Sequence, residues 1–224
     1  MSSSSRTRSA AAGLTGAGLL LGMSGALHPR VDTGVEYEQA GMFESAAWAS
    51  SHALTIAGFV LLAGSLAVLV RDLGPAWGSR QRLIGWAAVA GAGMAAVESV
   101  PHLLAGSEAD ALLAGGSTPL TDLHSVLQAI STPAVGLSVA ALAVASARSR
   151  SLGSGRIAAA VALVGGLAFA LAGPAIAITE NSELSALFAG SAGLSIWFIV
   201  SGIRTARRLS AGEIDSEVGM AVAR

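Results

Sequence analysis

The chain has 224 residues, 53% of them hydrophobic and only 12% charged, with a formal net charge of −1. A soluble domain carries about 25% charged residues, so this composition excludes an ordinary water-soluble fold and indicates a polytopic membrane protein. Cysteine is absent and all 13 basic residues are arginine, which excludes disulfides, thiolate metal sites, covalent c-type haem and a retinal-type Schiff base.

Taken in chain order, residues 1–9 form a short basic tail with Arg6 and Arg8. Six apolar segments come next, at 10–27, 52–70, 83–105, 123–147, 157–179 and 184–203, each near the length that crosses a hydrocarbon core of about 30 Å. Backbone in lipid has to satisfy its own hydrogen bonds, and continuous runs such as "IAGFVLLAGSLAVLV" lack the alternation of a barrel strand, so the segments are read as helices. The expected fold is all-α: a six-helix transmembrane domain over 10–205, arranged as three tandem hairpins, with a polar and disordered tail at 206–224. Residues 1–26 also carry a basic start, an apolar core and a small-x-small "SGA", the marks of a cleaved signal peptide. Against that reading, the apolar core is long, and cleavage would remove the first helix of the first hairpin.

The loops sort by charge. Arg6, Arg8, Arg71, Arg80, Arg82, Arg148, Arg150, Arg156, Arg204, Arg207 and Arg208 fall on one side, and Arg30 on the other. Asp32, Glu36, Glu38, Glu44, Glu108, Asp110, Asp122, Glu180 and Glu183 fall on the side opposite the arginines. Positive-inside sorting puts both termini in the cytoplasm of a cell membrane, and the Ala, Gly and Arg bias suits a bacterial genome. The long external segment at 29–51 reads as an amphipathic interfacial helix leading into the second span, with Trp48 at headgroup depth. Pro133 and Pro174 lie inside spans, where they are expected to be structural or to kink the helix.

The returning helices of the hairpins resemble one another: "HALTIAGFVLLAGSL" from His52, "HSVLQAISTPAVGLS" from His124 and "NSELSALFAGSAGLS" from Asn181. A glycine stands after each polar start at the same interval, at Gly64, Gly136 and Gly193, and the outgoing helices carry Pro29, Pro101 and Pro174 near their outer ends. This suggests a hairpin copied in tandem, with the third copy lacking histidine. Small residues along the returning helices allow close helix approach.

The chain has four histidines, and each lies at the outer end of one of the first four spans: His28, His52, His102 and His124. Each is about 8–12 residues from its helix midpoint, or about 12–18 Å at 1.5 Å per residue, so the four share a side and a depth. Glu98 stands one turn from His102 on the same face, Asp122 lies two residues before His124, Gln128 one turn below His124 and Trp48 one turn above His52. An ionisable group inside a span is a functional candidate, and Glu98 is the deepest acid.

Three chemistries suit this set. Haem b fits if two imidazoles on facing helices are axial ligands, His28 with His102 or His52 with His124. A zinc, copper or iron ion fits if His28, His52, His102 and His124 ligate it, with Glu98 or Asp122 as ligand or acid–base group. A proton relay of His and Glu is the third. Against all of them stands the plain reading that histidines at helix ends are interfacial polar residues with no ligand, and that Glu98 only pairs with His102. The functional alternatives are then a non-catalytic membrane subunit or assembly factor, in a homo-oligomer or with a membrane partner, or a small-solute or proton-coupled carrier. Two inverted halves, the usual mark of a carrier, are not evident. Nucleic-acid binding has no support, because no basic stripe with interleaved aromatics occurs. In arrangement only, over the first four spans, the histidine-bearing hairpins resemble the general membrane cytochrome b theme, in which bundle histidines hold haem near one face; no motif matches residue by residue.

Overall fold

The computed structural model describes residues 3–29, 36–179 and 181–211, and among these it consists of helices joined by short turns, with no strand. In chain order the α-helices are α1 (Ser3–Leu27), α2 (Glu36–Phe43), α3 (Ala46–Leu73), α4 (Ser79–Leu104), α5 (Ala109–Leu113), α6 (Pro119–Ser149), α7 (Arg156–Thr179) and α8 (Gly190–Ser210). Six helical segments are long and apolar enough to cross a membrane. Side chains on their outer faces, such as Val60, Val97, Val126 and Val164, are more than half exposed. Such a surface belongs in lipid, and the protein is a multi-pass membrane protein with an all-α bundle. Most of the polar tail, 212–224, and the loop residues Arg30, Asp32 and Glu180 lie outside the described residues.

The helices run past the apolar segments because backbone hydrogen bonding continues into polar sequence wherever a cap can end it. Helix α3 begins six residues before the apolar run, where the Ser45 hydroxyl accepts from the Ala47 N–H at 3.3 Å. Helix α6 begins with Pro119, whose missing N–H would have had no partner in the first turn. Its next amides are capped from outside: the Glu108 carboxylate accepts from Leu120 N–H at 2.8 Å, Thr121 N–H at 2.9 Å and the Thr121 hydroxyl at 2.8 Å. Pro101, Pro133 and Pro174 all sit inside uninterrupted helices. The sixth apolar segment divides. Ser182–Ala189 is wound as 3-10 helix, started by the Asn181 side chain accepting from Glu183 N–H at 2.9 Å, and the α-helix begins only at Gly190.

The six long helices close a ring, with packed neighbours α1–α3, α3–α4, α4–α6, α6–α7, α7–α8 and α8–α1. Each hairpin is therefore a pair of ring neighbours. One buried cluster draws on all six and includes Leu14, Leu62, Leu66, Ala92, Val139, Ala162, Trp197 and Phe198. The seams are lined by small residues. A side chain at Gly136 would meet the Gly166 carbonyl and Ala170, and one at Gly165 would meet the Gly190 carbonyl. Between helices in lipid no hydrophobic driving force operates, so such backbone-to-backbone contact carries the association.

At the arginine end, Asp72 accepts from Thr7 Oγ1 at 3.1 Å and Arg71 Nε at 3.0 Å, tying α3 to α1. Gln81 donates to Ser151 Oγ at 2.6 Å, and Trp197 Nε1 to Ser154 Oγ at 2.9 Å. The opposite end carries a second, smaller cluster, in which Phe43, Trp48, Ala105 and Ala109 pack with Met42, Leu112 and Leu120. There α2, α5 and the 3-10 turn Ala105–Glu108 form a cap over the ends of α3 and α4. The external segment expected to hold a helix running into the second span holds the short α2, which is part of this cap and is separated from α3 by a turn at residues 44–45.

Candidate metal centre

The ring order α1, α3, α4, α6 puts His28, His52, His102 and His124 side by side along one rim. His28 comes directly after the last residue of α1, and its N–H donates to Ser24 O at 2.9 Å. His52 lies in the second turn of α3, His102 in the last turn of α4 and His124 in the second turn of α6. Successive ring centres are 5.0, 4.2 and 3.5 Å apart, so all four imidazoles form one continuous arc. Ligand atoms of His28, His52 and His102 all lie within 4.8 Å of one another, and so do those of Glu98, His102 and His124. Either group can hold a metal ion by proximity alone, and their internal geometries differ.

In the first group, hydrogen bonds fix the tautomers of His28 and His52. A carbonyl only accepts, so His52 Nδ1, 2.7 Å from Trp48 O, carries its proton. The same holds for His28 Nδ1, 2.7 Å from Pro29 O. In a neutral ring the other nitrogen, Nε2, then bears the lone pair. His52 is 2% exposed, and its Nε2 is buried with no hydrogen-bond partner. Such an orphan costs about 1–3 kcal/mol, and an unexplained one asks for a ligand or an ion. The three ring planes are inclined by 53–65° to one another.

The second group is already satisfied internally. His124 Nδ1 donates to Glu98 Oε1 at 2.5 Å, and the Gln128 amide donates to His124 Nε2 at 3.2 Å. His102 and His124 stack face to face, 22° from parallel. Lone pairs lie in the ring plane, so two stacked rings do not aim at one ion. Glu98 Oε1 is 3.9 Å from His102 Nδ1. With Nδ1 on the carboxylate side, His102 can offer Nε2 as its ligand atom.

Comparisons with protein-family models, with curated proteins and with solved structures find no match. The chemistry open to the site rests on its own atoms.

Of the residues singled out in the sequence, the four histidines and Glu98 come together. Asp122 does not join them and is exposed in the first turn of α6. Glu98 pairs across the helix seam with His124 more closely than along its own helix with His102. Trp48, expected at headgroup depth, is 3% exposed, and its ring centre lies 4.0, 5.1 and 5.8 Å from those of His52, His102 and His28. Its Nε1 donates to Leu103 O at 3.1 Å, and Gly106 leaves the room: a Cβ there would stand 2.8 Å from the indole. The signal for Trp48 was its place one turn before His52; no sequence signal marks Gly106.

Proposed function

We propose that this protein is a membrane metalloprotein that binds one transition-metal ion, zinc or copper, through Nε2 of His28, His52 and His102. The observation that carries this reading is the buried, unpartnered Nε2 of His52, on a ring that neighbours the imidazoles of His28 and His102. Metal–nitrogen bonds of about 2.0–2.1 Å and tetrahedral angles set imidazole ring centres about 5 Å apart. The separations among the three rings are 4.2, 5.0 and 6.1 Å. Imidazole donors suit zinc and copper, and three protein ligands leave a fourth position for water or another small ligand, the arrangement of a reactive site.

The same distances favour a bare ion over haem. His28 and His102 are spaced like an axial pair, but the His52 ring, 5.0 and 4.2 Å from them, occupies the plane that a macrocycle would need. By positive-inside sorting the arginine end faces the cytoplasm of a bacterial cell membrane, and the histidine end faces outward. The ion would then be loaded from the external side, beneath the cap.

Elemental analysis of detergent-purified protein, stripped with chelator and reloaded with zinc, tests the reading. One equivalent per chain is expected, and His28→Ala, His52→Ala and His102→Ala should each abolish it while leaving the oligomer profile unchanged. Folded wild-type protein that retains no ion would refute the proposal and leave the reading as a cofactor-free membrane subunit.

A further inference from the structure

The trihistidine reading leaves Glu98 and His124 outside the ligand set, and a role for Glu98 toward the ion rests on that reading. Three neutral imidazoles bring no charge. A divalent ion among them would carry its full charge into a low-dielectric rim, where uncompensated charge is costly. Among the described residues, Glu98 is the one carboxylate within 4.0 Å of a histidine nitrogen, and it is 7% exposed. It stands behind His102, on the Nδ1 side, and the His124 Nδ1–H holds it there. Gln128 in turn orients the His124 ring. The carboxylate is therefore fixed near the ion position without being among the nitrogens that would ligate it. We propose that Glu98 is the specificity-determining residue of the site, whose charge makes it favour divalent over monovalent metal ions.

The alternative role is purely positional: Glu98 and the stacked His124 would only hold the His102 ring. The two roles separate quantitatively. Coulomb energy scales with the charge of the ion. Removing the carboxylate charge therefore costs a divalent ion twice the free energy it costs a monovalent one. In affinities, if the divalent ion weakens by a factor f, the monovalent ion weakens by the square root of f. Loss of ring positioning makes no such distinction, because both ions need the same three nitrogens. Changes to carboxylates behind metal-bound histidines cost about 10–100-fold in affinity. Glu98→Gln is then expected to weaken Zn(II) by about 10–100-fold and Cu(I) by about 3–10-fold.

The experiment measures dissociation constants of Zn(II) and of Cu(I), the latter anaerobically with ascorbate, by competition with chromophoric chelators. Full-length wild-type, Glu98→Gln and Glu98→Asp proteins in detergent are compared. The square-root relation for Glu98→Gln, with most of the zinc affinity restored in Glu98→Asp, supports the proposal. Equal losses for the two ions, or no loss for either, overturn it while leaving the trihistidine site standing. Wild-type protein that takes up neither ion overturns the trihistidine reading itself, and this inference with it. Should Glu98→Gln not yield folded protein, Glu98→Asp carries the test, since drawing the charge back by one methylene must again weaken zinc by the square of the factor for Cu(I).

Discussion

Replacing His52 by phenylalanine probes the proposed centre directly, because the trihistidine reading makes its effect on stability depend on zinc. In the zinc-free protein the substitution removes a buried acceptor with no partner, which relieves about 1–3 kcal/mol. It also removes the Nδ1–H bond to Trp48 O, worth about 1 kcal/mol net. The ring contacts with Trp48 at 4.0 Å and His102 at 4.2 Å remain available to phenylalanine. The zinc-free variant is therefore expected to be within about 1 kcal/mol of wild type, or more stable. Zinc at a hundred times its dissociation constant stabilises wild type by about 2.7 kcal/mol, whereas a variant weakened about a hundredfold gains about 0.4 kcal/mol. That difference corresponds to about 5–9 °C in unfolding temperature for a chain of this size. Thermal unfolding in detergent, monitored by circular dichroism with and without zinc, reads it. Equal stabilisation of both proteins, or none of either, refutes the ligand role. A zinc-free variant several kcal/mol below wild type would refute the claim that Nε2 is an orphan.

Three further outcomes are expected. Cu(II) should quench the emission of Trp48, whose ring touches His52; in Trp48→Phe the remaining tryptophans, Trp77, Trp86 and Trp197, should stay unquenched at the same copper concentration. Gly106→Ala should weaken copper binding in the same titration, since its Cβ would stand 2.8 Å from the Trp48 ring, whereas Gly64→Ala, with nothing within 4 Å, should not; identical titrations of the two variants would show that the Trp48 position does not matter. Because the chain has no cysteine, single cysteines report topology cleanly: an impermeant maleimide on intact cells should label Ser107→Cys, at the histidine end, and spare Ser149→Cys, at the arginine end, and the reverse pattern would invert the orientation.

The fold was legible because hydrocarbon thickness imposes a length on every span, and apolar runs of that length are visible one at a time. Helix ends were less legible. The Glu108 carboxylate that caps α6 belongs to a different helical segment, and no local pattern around Pro119 announces it. The site was legible as a set of residues, since helix periodicity and hairpin order put four histidines at one depth. It was not legible as a geometry. Whether Glu98 meets His102 or His124 depends on how α4 and α6 are rotated about their shared seam. Close contacts such as Gly91 against the Ala134 carbonyl set that rotation, and in a chain with 28 glycines no single one stands out.

Side by side, the first two hairpins, which resemble each other in sequence, show how their histidines come to differ. His28 and His102 end the outgoing helices of the first two hairpins, and His52 and His124 begin the returning ones. One turn before each outgoing histidine the copies differ, with Ser24 in the first and Glu98 in the second. The carboxylate of Glu98 is long enough to cross the seam and take the Nδ1–H of His124. The Ser24 hydroxyl is too short to reach His52 and bonds Thr55 Oγ1 at 2.5 Å instead. Thr55 passes its own proton to Ser51 O at 3.1 Å, so this pair closes on α3 backbone and leaves the imidazole alone. His52 bonds Trp48 O through Nδ1 and leaves Nε2 without a partner, while His124 is engaged at both nitrogens. The third copy has Asn181 where the others have histidine, and its helices press backbone to backbone at Gly165 and Gly190. It contributes closure of the ring between α6 and α1. In this reading a single exchange of serine for glutamate between copies decides which histidine is free to bind an ion and which one holds the charge that balances it.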